Sequence, residues 1–131
     1  MVNKRIVKEW LDQADEDFAF ASANLDVRDE FYSRICFHFQ QAAEKYLKAF
    51  IIFKGLELKK IHNLNILLND SATVDKELEE LKEECLFLNP FYIDTRYPAF
   101  WPVGRSRKEA EKAREAAKEI GNLVKKKIKK S

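Results

Sequence analysis

Glycine, proline and cysteine are scarce in this sequence. The 131 residues include three glycines, three prolines and two cysteines. So few turn-forming residues argue for regular structure with few turns. The cysteines, Cys36 and Cys85, lack the paired spacing of a zinc site or a CxxC redox motif, and each falls on the apolar stripe of a predicted helix. We therefore expect two buried thiols in a reducing compartment.

Long apolar runs are absent as well. The longest, Ala49–Phe53, is far shorter than the roughly 18 residues that span a bilayer. The N-terminal Met-Val-Asn-Lys-Arg lacks the apolar segment of a signal peptide. These features predict a cytoplasmic protein without membrane contact. At this length we expect one domain, 1–131, that buries its core without a disulfide or a metal.

Signals of common catalytic chemistry are missing too. The only glycines are Gly55, Gly104 and Gly121, so there is no glycine-rich phosphate loop. His38 and His62 have no nearby cluster of acidic residues or cysteines, and we expect no metal site and no cofactor. No pair of nucleophile and base can be identified from the sequence.

Charge, by contrast, is abundant and uneven. Asp, Glu, Lys and Arg make up 35% of the chain, with a net charge of +2. Residues 70–85 carry seven acidic and two basic side chains, and residues 104–131 carry eleven basic and four acidic ones. Lysines dominate the tail, residues 125–131. We interpret this tail as frayed and solvated, with contact to nucleic acid or another acidic surface as the alternative.

Apolar residues recur at steps of three and four along most of the chain, which predicts helices. Five stretches show this period: residues 6–25, 31–54, 61–68, 73–88, and those that follow position 106. The second carries two adjacent apolar stripes, so we expect it at the centre. The predicted fold is all-α: an antiparallel up-and-down bundle of four long helices plus one short helix, with a long aromatic loop before the last helix.

The ends of these helices carry recognisable signals. Asn63 and Thr73 are predicted N-caps of the third and fourth helices, because their side-chain oxygens can accept from unpaired backbone N–H groups. Ser106 and Glu109 have the spacing of a capping box at the start of the last helix. Gly55 follows the second helix, where glycine most easily supplies a left-handed terminating residue.

The segment 89–105 holds all three prolines and five aromatic residues. A 17-residue irregular segment is unusual in a compact domain and suggests a function. Within it, Arg96 stands near Tyr92, Asp94 and Tyr97, where a guanidinium can stack, pair with the carboxylate or bind phosphate. The alternative is structural: Asp94 and Arg96 fix the loop while the aromatic rings cover the end of the core.

A row of polar residues follows one side of the second helix. At steps of four and three it contains Arg34, His38, Gln41, Lys45 and Lys48, with Gln40 and Glu44 beside it. Such a row of donors could meet an anionic ligand. The alternative is an ordinary solvated face in which Glu44 and Lys48 form an i,i+4 pair. His38, between two phenylalanines, is equally open to a structural interpretation.

Three stretches, in this order, resemble the HEPN (higher eukaryotes and prokaryotes nucleotide-binding) domain family. They are Phe37-His-Phe-Gln-Gln-Ala-Ala-Glu-Lys-Tyr-Leu-Lys-Ala49, then His62-Asn-Leu with Leu67-Leu68, then Tyr92-Ile-Asp-Thr-Arg-Tyr-Pro98, and an alanine-rich last helix follows them. The resemblance extends from about Trp10 to Val124. It implies an up-and-down helical bundle and usually a homodimer. Such domains are often encoded beside a minimal nucleotidyltransferase in prokaryotic toxin–antitoxin pairs.

Many members of this family resemble metal-independent ribonucleases, whose active site is an Arg followed after four to six residues by a His. This sequence departs from that pattern. The Arg that His38 requires would stand at one of positions 31–33, and the one that His62 requires at one of positions 55–57; none of these is arginine. Arg34 and His38 are separated by only three residues. The resemblance therefore leaves an enzymatic activity unassigned and favours a non-catalytic role.

Three hypotheses follow. The first is a dimeric binding module that holds a nucleotide or an RNA, or the nucleotidyltransferase partner, with His38, Gln41, Lys45, Arg96 and Tyr97. The second is a ribonuclease with a non-standard site, in which His38 acts as acid or base and Arg34 or Arg96 stabilises charge on phosphorus. The third is a dimeric scaffold in which all of these residues are structural. The first two require the polar row and Arg96 to converge.

Overall fold

A computed structural model describes residues 3–92 and 105–129 of the chain. These residues form helices and turns, which confirms the all-α helical bundle. The elements in chain order are α1 (Lys4–Val27), α2 (Tyr32–Phe53), α3 (Leu64–Ala72), a 3-10 helix (Lys76–Leu81), α4 (Lys82–Leu88) and α5 (Arg107–Lys129). None of the helices in the described part is long and apolar enough to cross a membrane.

Three of the predicted helix ends are confirmed. The side chain of Asn63 accepts from the backbone N–H groups at positions 65 and 66 and starts α3. Ser106 and Glu109 form the reciprocal capping box, since each side chain accepts from the other residue's backbone N–H, at 3.1 and 3.0 Å. Gly55, with φ +72°, follows the end of α2 as expected.

The fourth helix differs from its prediction. Thr73 does not cap it; its hydroxyl instead donates to the carbonyl of Asp70 at 2.6 Å, at the end of α3. The N-cap is Asp75, whose carboxylate accepts from the backbone N–H of Glu77, because residue 75 and not residue 73 has the extended backbone that a cap requires. The element then begins as a 3-10 helix, and Val74 is 48% exposed and lies outside the core.

The second helix is central, as predicted. It packs against α1, α3, α4 and α5, and thirteen of its residues are buried. Phe39, Leu47 and Phe50 are fully buried in one core that also receives residues from the other helices. Cys36 and Cys85 are buried in this core, which confirms their predicted burial. Burial raises the pKa of the Cys85 thiol to about 12.

The interpretation of the lysine-rich tail as frayed is wrong for its described part. Helix α5 continues to Lys129, and its last turns are ion-paired to other elements. Lys125 lies 2.6 Å from the carboxylate of Asp15 on α1. Lys127 lies 3.0 Å from Asp75 and 2.6 Å from Glu77. Acidic residues in the middle of α1 and at the start of the 3-10 helix therefore hold the basic end of α5 in place, which the sequence of α5 does not reveal.

Candidate functional site

Two members of the predicted polar row turn towards α1. His38 Nδ1 lies 3.3 Å from Oδ1 of Asp17, and Lys45 Nζ lies 2.6 Å from Oδ2 of the same carboxylate. The Asp17 side chain is 18% exposed. Burial tends to raise its pKa, but the hydrogen bonds from His38 and Lys45 prevail and hold that pKa below the ordinary value. Asp17 therefore remains a carboxylate and fixes the side chains of His38 and Lys45 on the surface.

The other side of the row is buried. The predicted Glu44–Lys48 pair forms, but the prediction that it is exposed to solvent is wrong. The pair exists, with 3.0 Å between Lys48 Nζ and Glu44 Oε2, but the side chains are only 8% and 5% exposed. Trp10 of α1 covers the lysine, whose Nζ lies 5.8 Å from the ring centre. His62, from the connection before α3, covers the glutamate, and its Nδ1 lies 3.1 Å from both carboxylate oxygens.

A short chain of amides joins these two sides. Gln41 Nε2 donates to Oε1 of Gln40 at 2.7 Å, and Gln40 Nε2 donates to the backbone carbonyl of His62 at 3.3 Å. Gln40 is fully buried, whereas Gln41 is partly exposed. The orientation of the Gln41 amide is thereby set by a buried partner, which leaves its oxygen directed away from Gln40.

Aromatic rings connect the same region to the segment after α4. The ring of His62 stacks on that of Tyr92, with centres 4.3 Å apart and 18° between the planes. Phe37 of α2 lies 6.4 Å from Tyr92 at 27°. The side chain of Asn89 accepts from the backbone N–H of Leu64 at 2.8 Å and fixes the connection. Stretches of sequence separated by 25 to 55 positions thus form one surface.

The N-terminal end of the row borders a groove. Arg34 is exposed and has no hydrogen-bond or ion-pair partner among residues 3–92 and 105–129. The groove lies between α1 and α2 and is lined by Phe20, Asn24, Phe31, Arg34, Ile35 and His38. The ring of Phe20 packs against that of His38, with centres 4.8 Å apart at 67°.

His38, Gln41 and Lys45 therefore lie on one surface of α2, and each is held by a defined partner. Arg96 and Tyr97 lie outside the described residues, so the convergence of the row with Arg96 stays a prediction. In the part of the chain that the structure describes, no group of His, Cys, Asp and Glu side chains is arranged to hold a metal ion.

The sequence analysis missed two main features of the site. It did not include Asp17, and it did not predict that Glu44 contacts His62. Asp17 looks like any acidic residue on the polar side of α1, and nothing in the sequence names a partner 21 positions away. His62 belongs to the second family-like stretch, and that stretch was the available signal for including it in the site. Helical spacing alone did not show that Glu44 is buried and Gln41 is partly exposed.

Comparison with known proteins identifies the family and a similar fold. A model of the HEPN domain matches residues 7–127. The crystal structure of ST0689, an archaeal HEPN homologue, superposes with a TM-score of 0.76 at 28% sequence identity, covering 93% of this chain and 97% of that one. No curated protein sequence matches this chain. The family match spans most of the chain, and the chain belongs to the HEPN domain family.

Proposed function

We propose that this HEPN protein is a non-catalytic binding module that holds the phosphate-bearing part of a nucleotide or an RNA on the polar row of α2. The observation that carries the proposal is the placement of His38, Gln41 and Lys45 on one partly exposed surface, each oriented by another residue of the bundle. Side chains that are already ordered lose little conformational freedom when a ligand binds.

The chemistry of this surface suits an anion. An imidazole, an amide and an ammonium group provide donors on consecutive turns, and Arg34 adds a guanidinium without a described partner. Aromatic rings lie at both sides of the row, namely Phe20 and Phe31 near Arg34, and Tyr92 against His62. Donors for phosphate beside aromatic faces are the usual components of sites for single-stranded nucleic acid.

Asp17 provides the sharpest test of this proposal. Its carboxylate competes with an incoming anion for His38 and Lys45. We therefore expect Asp17→Asn to bind a fluorescein-labelled single-stranded RNA several-fold more tightly than the wild type, and Lys45→Gln to bind it more weakly, in fluorescence anisotropy at fixed salt. Lys59→Gln is the matched control, because Lys59 pairs with Asp70 in an exposed position away from the row.

The outcomes separate the hypotheses. Wild-type protein that binds neither RNA nor ATP under these conditions would contradict the proposal and favour a scaffold. Equal affinities for Asp17→Asn, Lys45→Gln and the wild type would place any binding elsewhere on the molecule.

A second candidate function is metal-independent RNA cleavage, favoured by one observation. Asp17 contacts Nδ1 of His38 and not Nε2, and His38 lines the same groove as Arg34. A carboxylate that fixes the tautomer of a histidine supports acid–base chemistry at the other ring nitrogen. In EDTA, cleavage of RNA that is lost in both His38→Ala and Asp17→Asn would establish this function; intact RNA would refute it.

We also propose that the protein forms a homodimer and pairs with a minimal nucleotidyltransferase in a toxin–antitoxin system. The support is the family to which the chain belongs. Sedimentation at micromolar concentration should give the mass of a dimer. Co-expression with a neighbouring nucleotidyltransferase gene should give a complex that survives gel filtration; separate elution would argue against the pairing.

A further inference from the structure

The groove between α1 and α2 combines exposed aromatic surface with polar side chains, one of which, Arg34, has no described partner. Phe20 is 54% and Phe31 55% exposed, which is unusual for residues of this size. Between them lie the side chains of Arg34, His38 and Asn24. The volume of the groove is about 190 Å³. Sites for drug-sized ligands have roughly 300–1,000 Å³, so this groove suits a single planar ring system.

The polar groups at this groove complement a nucleotide. Arg34 offers a guanidinium with no described partner. Arg28, whose guanidinium pairs with Glu30 at 3.5 Å, lies at the rim, 5.6 Å from the ring centre of Phe31. Asn24 Nδ2 donates to the carbonyl of Phe20 at 2.8 Å, which orients its Oδ1 as an acceptor. Guanidinium groups pair with phosphate, and an amide oxygen accepts from the amino group of a base.

The backbone of Phe31 is a separate indication. Its φ is +65°, in the left-handed region that a bulky residue rarely adopts, and it is the only such residue other than glycine among those described. It is the N-cap of α2 and makes no capping hydrogen bond through its side chain. Glycine or asparagine would fit this position better. A strained aromatic residue that remains largely exposed points to a role for the ring itself.

We propose that this groove takes the base of one nucleotide unit: the base packs on the rings of Phe20 and Phe31, and its phosphate pairs with Arg34. The inference rests on the proposed nucleotide or RNA binding by the row of α2, and it assigns the base to a part of the surface that the row does not include. The His62–Tyr92 stack is a poorer site, since each ring already covers one face of the other.

The strained backbone allows a test in which loss of binding cannot be blamed on misfolding. Phe31→Gly removes the ring and relieves the left-handed strain, so we expect it to unfold at the same denaturant concentration as the wild type or a higher one. Its affinity for a labelled single-stranded RNA should nevertheless fall about tenfold in fluorescence anisotropy. Phe20→Ala should show a similar loss, and Phe20→Trp should retain binding.

Two controls isolate the base from the phosphate. Leu86→Ala removes a side chain that is also 54% exposed but lies on α4, and it should bind as the wild type does. An abasic strand of equal length should bind the wild type about tenfold more weakly than the RNA, and Phe31→Gly should not weaken it further. Arg34→Gln should weaken both strands, whereas Arg5→Gln, with the same loss of charge on the first turn of α1, should weaken neither.

Competition identifies the source of the nucleotide unit. Displacement of the RNA by AMP at comparable concentration supports a free nucleotide, and displacement only by unlabelled RNA supports a strand. Wild-type affinity in both Phe20→Ala and Phe31→Gly would overturn this inference while leaving the proposed function intact. So would unchanged affinity accompanied by a lower mass in sedimentation, which would make the groove a contact between two copies. No binding by the wild type would overturn both.

Discussion

Two carboxylates of this bundle each hold one histidine and one lysine, and they differ in burial. Asp17, on α1, contacts His38 and Lys45 and is 18% exposed. Glu44, on α2, contacts His62 and Lys48 and is 5% exposed. The groups and their distances are alike in the two clusters. The surroundings differ: solvent reaches the lysine of the Asp17 cluster, with 24% exposure, and hardly reaches Lys48, with 8%.

This difference predicts that the Glu44 cluster is structural, whereas the Asp17 cluster can exchange partners. Removing one partner of a buried pair leaves the other charge desolvated, so the Glu44 cluster cannot exchange partners without a large loss of stability. Water can solvate the groups of the Asp17 cluster when their partner changes, and an anion can replace the carboxylate at low cost. A carboxylate, a histidine and a lysine therefore stabilise the fold in the Glu44 cluster, whereas in the Asp17 cluster the histidine and the lysine can offer donors to a ligand.

The largest effect is expected from breaking the buried cluster at its centre. Glu44→Leu leaves the ammonium of Lys48 buried without a counter-ion, and we expect it to lower the free energy of unfolding by about 3–5 kcal/mol. Urea denaturation followed by circular dichroism measures this. A loss as small as that of Asp17→Asn would show that Lys48 reaches water, and the contrast between the clusters would fail.

A smaller effect is expected at the exposed cluster. Asp17→Asn removes the charge that His38 and Lys45 contact, and hydrogen bonds to charged groups contribute about 1.5–3 kcal/mol when buried. Partial exposure reduces this, so we expect a loss of about 1 kcal/mol in the same denaturation measurement. Asp12→Asn, which removes an acidic partner of an exposed i,i+4 pair on α1, is the control and should leave stability unchanged.

The pH dependence of stability should be smaller still and have a definite sign. The pKa of Asp17 is lower in the folded protein than its ordinary value of 3.8, so its contribution is fully present above that pH. As the pH falls below 3.8 and through the lower folded value, the carboxylate is protonated and this contribution is lost. The stability difference between wild type and Asp17→Asn should therefore shrink as the pH is lowered from 5.5 to 3 or below. The total change in this difference should be about 1 kcal/mol or less. A constant difference would contradict the assigned cause.

The smallest change is expected when the buried pair is replaced as a whole. Glu44→Leu combined with Lys48→Met removes both charges and keeps the volume apolar, and we expect stability within about 1 kcal/mol of the wild type. This double variant should recover most of the loss of Glu44→Leu alone. If it remains as unstable as the single variant, the contact of Glu44 with His62, rather than the charge of Lys48, dominates the cluster.

Helices and most caps were predictable because they depend on neighbours in sequence. The spacing of apolar residues placed α1, α2 and α5, and the capping box of Ser106 and Glu109 formed as expected. The prediction for Thr73 failed because two residues, 73 and 75, both have suitable side chains, and only the backbone conformation selects the cap. The core position of both cysteines also followed from periodicity alone.

The candidate site was predictable only in part. Helical spacing placed His38, Gln41 and Lys45 on adjacent turns, since those positions share a face of α2. It could not distinguish the buried Glu44 from the partly exposed Gln41, because the helices that cover each side come from elsewhere in the chain. The partners Asp17 and His62, and the groove beside Phe20, depend on how α1 and the connection before α3 pack against α2.

The sequence by itself determined the helical bundle, the central position of α2, the family and the ends of most helices, because these depend on short-range periodicity and on motifs with fixed spacing. Tertiary structure alone decided which charges are desolvated and which carboxylate meets which histidine. The physical reason is that burial and pairing are properties of surfaces brought together from distant positions, and contacts across 18 to 28 residues have no local signature.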